Sequence, residues 1–175
     1  GKADVVELGR PLLADPFLPN KLRSGREKEI TKCLRCMSCL GESVKTGGTS
    51  CTVNPVIGNE FNCQIAMNRP TTPKKVMVAG GGPGGMEAAI TAAKRGHEVV
   101  LYEASNRLGG ALNFAKHVDF KYGLYEFKEV LEFELKKHGV SVHLNIPVTA
   151  ALVAAEQPDV LFLACGAKPV ILPIE

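Results

Sequence analysis

Beyond residue 74, short unbroken apolar runs alternate with stretches whose apolar side chains recur every three to four positions. The runs Val76-Met77-Val78-Ala79 and Val99-Val100-Leu101-Tyr102 are too short for buried helices and rich in β-branched residues. Residues 75–79 and 98–103 are therefore predicted strands, with a helix over 84–95 between them. A long helix near 120–137 and strands over 141–145 and 160–164 follow. Strands without polar alternation are buried on both faces, and their alternation with helices predicts an α/β fold on a mainly parallel sheet.

The first 73 residues lack that regularity. Residues 3–8 predict one short strand ending at Gly9, and residues 19–24 one short helix. Such a pair buries too little apolar surface to offset chain entropy, so residues 1–30 are expected to need neighbours and to be mobile without them. Over 31–73 no helical or strand period is sustained, and the glycine-rich link at 46–50, Asn54-Pro55 and the extended Arg69-Pro70-Thr71-Thr72-Pro73 interrupt it. Something other than a hydrophobic core must organise that segment. Three zones are expected: 1–30, 31–73 and 74–175.

The chain has 175 residues, which excludes a complete (β/α)8 barrel of roughly 250. A 45% hydrophobic, 22% charged composition excludes fibrous and disordered classes. With a net charge of +3, no Trp and three Tyr, no nucleic-acid surface is expected. No apolar run approaches the roughly 20 residues that cross a bilayer, so no membrane partner is expected either. Six Cys, four of them within nineteen positions, suggest metal or cluster ligation in a reducing, cytoplasmic setting.

Those four are spaced Cys33-x2-Cys36-x2-Cys39-x11-Cys51. Three thiolates on one tight loop with a fourth from downstream suit a [4Fe-4S] cluster, in which each sulfur meets a different corner. Structural zinc, the competing ligand, usually takes two separated C-x2-C knuckles. Cys63 is read as a spare thiol and Cys165, after the apolar run 160–164, as a buried unreactive one. His97, His117, His138 and His143 have neither metal spacing nor a neighbouring nucleophile and are read as surface or strand-edge residues.

Gly80, Gly82 and Gly85 form G-x-G-x-x-G between a predicted strand and a predicted helix. In that context Gly80 permits the tight turn, Gly82 lets backbone approach a pyrophosphate, and Gly85 allows close helix packing. Glu103 ends the second strand twenty-three residues after Gly80, where it would accept hydrogen bonds from an adenosine ribose and repel a 2′-phosphate. Arg107-Leu108-Gly109-Gly110 could close a loop over phosphates or be a plain surface turn.

Together, Gly9-Arg10-Pro11-Leu12-Leu13-Ala14-Asp15-Pro16, the four cysteines with Cys51-Thr52-Val53-Asn54-Pro55, and the glycine turn running into Met86-Glu87-Ala88-Ala89 resemble a known family. It is the family of iron–sulfur flavoproteins typified by 2,4-dienoyl-CoA reductase, trimethylamine dehydrogenase and the clostridial enoate reductases. The resemblance implies the end of an FMN-binding barrel over 1–30, a [4Fe-4S] loop over 31–73, and an incomplete Rossmann-like domain binding FAD, or ADP alone, over 74–175. It places Gly9 and Arg10 on the FMN phosphate, the four cysteines on the cluster, Gly80, Gly82, Gly85 and Glu103 on the FAD nucleotide, and Arg107, Gly109 and Gly110 on a flavin-side loop. Residues 159–169 resemble the strand closing the first half of that FAD domain, with Cys165 where Thr is usual.

By this resemblance the parent is an NADH-dependent flavin oxidoreductase that reduces an activated C=C bond of a small-molecule substrate. The piece itself is expected to be inactive, since the resemblance places no catalytic residue in it. A trimethylamine dehydrogenase-like segment holding ADP, a zinc-stabilised nucleotide-binding module and a homo-oligomer are left open.

Overall fold

The computed structural model describes residues 2–68, 72–167 and 170. Residues 69–71 of the predicted extended link, and Lys168 and Pro169 of the closing-strand motif, lie outside the described residues. In chain order the elements are α1 (Arg10–Ala14), α2 (Leu18–Arg23), α3 (Ser38–Thr46), α4 (Glu60–Ala66), β1 (Lys75–Ala79), α5 (Pro83–Lys94), β2 (Glu98–Glu103), α6 (Tyr122–Lys137), β3 (Ser141–Leu144), α7 (Ala150–Glu156) and β4 (Val160–Leu163). They fall into two compact units: Gly1–Asn68 with Phe114–Glu134, and Arg69–Asn113 with Leu135–Glu175.

The second unit is a four-stranded parallel sheet in the order β3-β2-β1-β4. Central β1 pairs on both sides, Met77 opposite Val100 and Leu161, and Val76, Met77, Val78 and Leu101 are almost wholly buried. That burial is why these runs show no polar alternation. Pro83 opens α5, where a missing N–H costs nothing, and Met86, Ala89 and Ile90 recur at helical spacing on its buried face. Small alanines let α5 lie close on β1 and β2.

The first unit has few buried apolar side chains and is knit by polar ones. Asp15, 3% exposed, accepts from Lys21 Nζ at 2.7 Å and from the backbone N–H groups of Phe17 (3.1 Å) and Thr31 (3.0 Å). Lys21 also donates to the Glu29 carbonyl at 2.8 Å. One carboxylate thereby closes the loop from α1 back to the residues just before Cys33. Asn54 Nδ2 donates to the Leu13 carbonyl at 2.8 Å, so the segment after Cys51 is tied to α1 as well.

Several local expectations change. Residues 3–8 form no strand: they have no sheet partner among the described residues, and Val5 and Val6 are 86% and 71% exposed. Within residues 10–30, α1 and α2 are joined to Thr31 by the Asp15 network. The segment 31–73 contains α3 and α4, which carried no readable period because they bury no residue fully; Leu40 and Val44 of α3 are exposed. The short helices α1 and α7 were not anticipated; Thr149 caps α7 by accepting from Leu152 N–H at 3.2 Å.

Replacing Asp15 with Ala would leave Lys21 with the Glu29 carbonyl alone and two N–H groups without their acceptor. The expected loss is about 3–5 kcal/mol in chemical denaturation, and a loss below about 0.5 kcal/mol would remove Asp15 from its organising role.

Candidate functional site

Two groups of predicted site residues are brought together, one in each unit. In the second, β1 ends at Ala79 and Gly80 turns the chain with φ +111°. A Cβ on Gly80 would meet the Ala164 carbonyl, and one on Gly85 would run into the Gly80 carbonyl oxygen. Both glycines are therefore demanded by the chain's own packing. Gly82 differs: its backbone is extended (φ −71°, ψ 176°) and a Cβ there would meet nothing within 4 Å. Nothing among the described residues requires glycine at 82.

The loop after β2 folds back onto the turn. Gly109 N–H donates to the Gly81 carbonyl at 2.8 Å, and a Cβ on Gly110 would stand 3.0 Å from Gly82 Cα. Arg107 is exposed at the rim, and Ser105 Oγ donates to its carbonyl at 2.8 Å. Glu103 is bound at both oxygens, Oε2 by Gly81 N–H at 2.6 Å and Oε1 by Ser105 N–H at 2.8 Å. Burial pushes its carboxyl up, but the Ser105 and Gly81 N–H groups outweigh that and hold it below the ordinary glutamate value. The strand-end acid thus stays ionised and braces the glycine turn, a role its spacing alone did not reveal. The N–H groups of the first turn of α5 have no partner within the helix, leaving a positive helix end beside Gly82.

In the first unit, Cys33, Cys36, Cys39 and Cys51 line one small apolar recess, joined by Arg10, Thr52 and Val53. Arg35 and Met37 flank Cys36 in the left-handed region, φ 57° and 62°, and Met37 is followed at once by α3. Two reversals within three residues turn the short cysteine run around the recess. Cys36 Sγ is 3.3 Å from Ser38 Oγ and 3.1 Å from Thr52 Oγ1, and Cys33 Sγ accepts from Arg35 N–H at 3.4 Å. Partial burial pushes the Cys36 thiol up, yet the Ser38 and Thr52 hydroxyls bring it below the ordinary value, favouring the thiolate that binds metals. Among the described residues no three His, Cys, Asp or Glu side chains are grouped so as to hold a single metal ion.

Gly9 precedes α1, and its carbonyl accepts from Leu12 N–H at 3.0 Å; Arg10 Nη1 donates to Met37 Sδ at 2.7 Å. Cys63 lies on α4 away from the recess. Cys165, expected to be buried, is exposed, because β4 is a sheet edge and Leu163 beside it is 75% exposed; its Sγ donates only weakly to the Ala79 carbonyl at 3.6 Å. His97 Nδ1 accepts from Lys74 N–H at 3.1 Å, and the exposed ring of His143 stacks on Tyr102 with centroids 5.0 Å apart. Among the described residues no helix is long and apolar enough to cross a membrane.

Residues 75–132 match the family model described as FAD dependent oxidoreductase. The chain is 45% identical to an NADH oxidase of Thermoanaerobacter brockii over 97% of its length and 26% of that protein's. It is 38% identical to a cinnamate reductase of Clostridium sporogenes, over all of this chain and 26% of the relative. Among solved structures, a 2-naphthoyl-CoA reductase in complex with 2-naphthoyl-CoA superposes with a TM-score of 0.92 at 38% identity, covering all of this chain and 27% of that one. The chain spans about a quarter of the length of the relatives it matches. Its motifs, its parallel sheet and these likenesses agree, and the chain belongs to the family of flavin-dependent oxidoreductases that these reductases represent.

Proposed function

We propose that this chain carries the electron-relay section of an NADH-dependent flavin oxidoreductase that reduces an activated C=C bond, with FAD on the glycine turn, a [4Fe-4S] cluster in the cysteine recess and FMN nearby in the parent enzyme. The observation that carries the reading is four cysteines around one recess in a chain that also holds an open glycine turn closed by Glu103. The names of the matched relatives, an NADH oxidase and a cinnamate reductase, support the hydride donor and the class of substrate.

When bound, a four-iron cluster supplies one-electron transfer and a flavin supplies the change between hydride and single electrons. The chain's own residues do the rest. Cys33, Cys36, Cys39 and Cys51 would hold the cluster through their thiolates; three on one short run with a fourth from downstream suit it better than the two separated knuckles usual for zinc. The Ser38 and Thr52 hydroxyls stabilise the Cys36 sulfur as an anion. On the nucleotide side, Gly82 leaves room for a pyrophosphate, the helix end of α5 favours its charge, and Glu103 presents remaining lone pairs to a ribose hydroxyl. Gly109 and Gly110 keep the loop bearing Arg107 against the turn. For Gly9 and Arg10 the assignment to an FMN phosphate rests on the resemblance.

Gly82→Ala should change stability by less than about 1 kcal/mol yet weaken FAD or ADP binding at least tenfold in calorimetry. Gly85→Ala should instead cost about 1–3 kcal/mol of stability, because its Cβ meets the Gly80 carbonyl. Equal nucleotide affinity in wild type and the Gly82 variant would remove the pyrophosphate assignment.

Glu103 has its carboxyl lowered in the fold, so its contribution is present above the unfolded carboxylate value and fades as pH falls through the lower, folded one. Glu103→Gln should flatten that acid limb and cost about 1–3 kcal/mol near neutrality by leaving an N–H facing an amide. An unchanged acid limb would show that the two N–H bonds do not matter.

Cys36→Ser should abolish the broad visible absorbance of an anaerobic preparation. Iron and sulfide retained in full would exclude Cys36 as a ligand.

A further inference from the structure

Arg35 is a bulky residue in left-handed backbone between two of the recess cysteines, a conformation that persists only where its surroundings enforce it. The enforcement is visible in the same unit. The Arg35 guanidinium donates to Tyr122 Oη at 2.5 Å and its central carbon lies 5.1 Å from the centre of that ring. On either side, Lys32 Nζ pairs with Glu126 Oε1 at 2.8 Å, and Leu34 Cδ2 sits 3.5 Å from where a Cβ on Gly123 would stand. Residues 32, 34 and 35 thus grip 122, 123 and 126 at the start of α6. Held this way, Arg35 points its own backbone N–H at Cys33 Sγ.

Building on the cluster reading above, we propose that Arg35 is a positioning residue. Latched by Tyr122, it locks the left-handed turn that keeps an N–H on the Cys33 sulfur and thereby raises the reduction potential of the cluster bound there. One-electron reduction adds a negative charge to the cluster and its thiolates without making or breaking a bond. A hydrogen bond to a ligand sulfur stabilises that added charge, as cluster potentials follow net charge and hydrogen bonding at sulfur. The exposed guanidinium acts in the same direction more weakly, because water and salt screen it.

The test uses the anaerobically prepared holoprotein as wild type, Tyr122→Phe, Arg35→Gly and Arg35→Ala, with iron and sulfide content and a potentiometric titration followed by electron paramagnetic resonance. Glycine takes left-handed backbone freely and alanine does not. Arg35→Gly should therefore keep its iron while titrating at a lower potential, and Arg35→Ala should lose iron as well. Tyr122→Phe, which keeps the ring but not the acceptor oxygen, should retain iron and also titrate lower. If wild type holds iron and both Arg35→Gly and Tyr122→Phe titrate at its potential, the proposal is overturned while the cluster reading stands. If Arg35→Ala matches Arg35→Gly in iron and in potential, the latch is likewise overturned. A wild type without iron overturns both.

Discussion

A carboxylate that is 3% exposed must be fully paired to be tolerated, and Asp15 is paired by one ammonium and two backbone N–H groups. That requirement governs the first unit. Few apolar side chains are buried there, so the path from α1 through α2 to Thr31 is fixed by what Asp15 accepts, and Asn54 fixes the return of the chain after Cys51 by donating to Leu13. The cysteine run starts two residues beyond Thr31. Its recess is therefore built on hydrogen bonds whose partners lie outside the run, and the loop spends its own conformational freedom on two left-handed residues.

The second unit is governed by a different constraint, the closeness of backbone to backbone. At Gly80 and Gly85 the turn, the start of α5 and the end of β4 approach so nearly that no side chain fits between them. Glu103 then secures the turn from β2 through Gly81. Within that packing Gly82 and Gly84 have open space where a Cβ would stand, so the chain's own packing does not require glycine at either.

What could be read in the sequence follows from the range of the interactions. Strands β1 and β2 and helix α5 were legible because burial on both faces, or on one helical stripe, leaves a local mark. The cysteine spacing and the glycine turn were legible because their geometry is set within a few residues. The strand over 3–8 was misread because a strand is a property of its partner, and α3 escaped because its surface residues carry no buried stripe. Asp15 with Thr31, Asn54 with Leu13 and Arg35 with Tyr122 are joined across 16, 41 and 87 positions, and no periodicity reports such pairs. Cys165 looked buried because its run is apolar; at the sheet edge that run is left uncovered.

The proposed function places a flavin and a four-iron cluster in one electron path of the parent enzyme. Rapid-freeze electron paramagnetic resonance of the anaerobic holoenzyme mixed with NADH tests it directly. Flavin bleaching should be accompanied by the paramagnetic signal of a reduced four-iron cluster. Full flavin reduction with no cluster signal, in protein whose cysteines hold zinc or no metal, would contradict it.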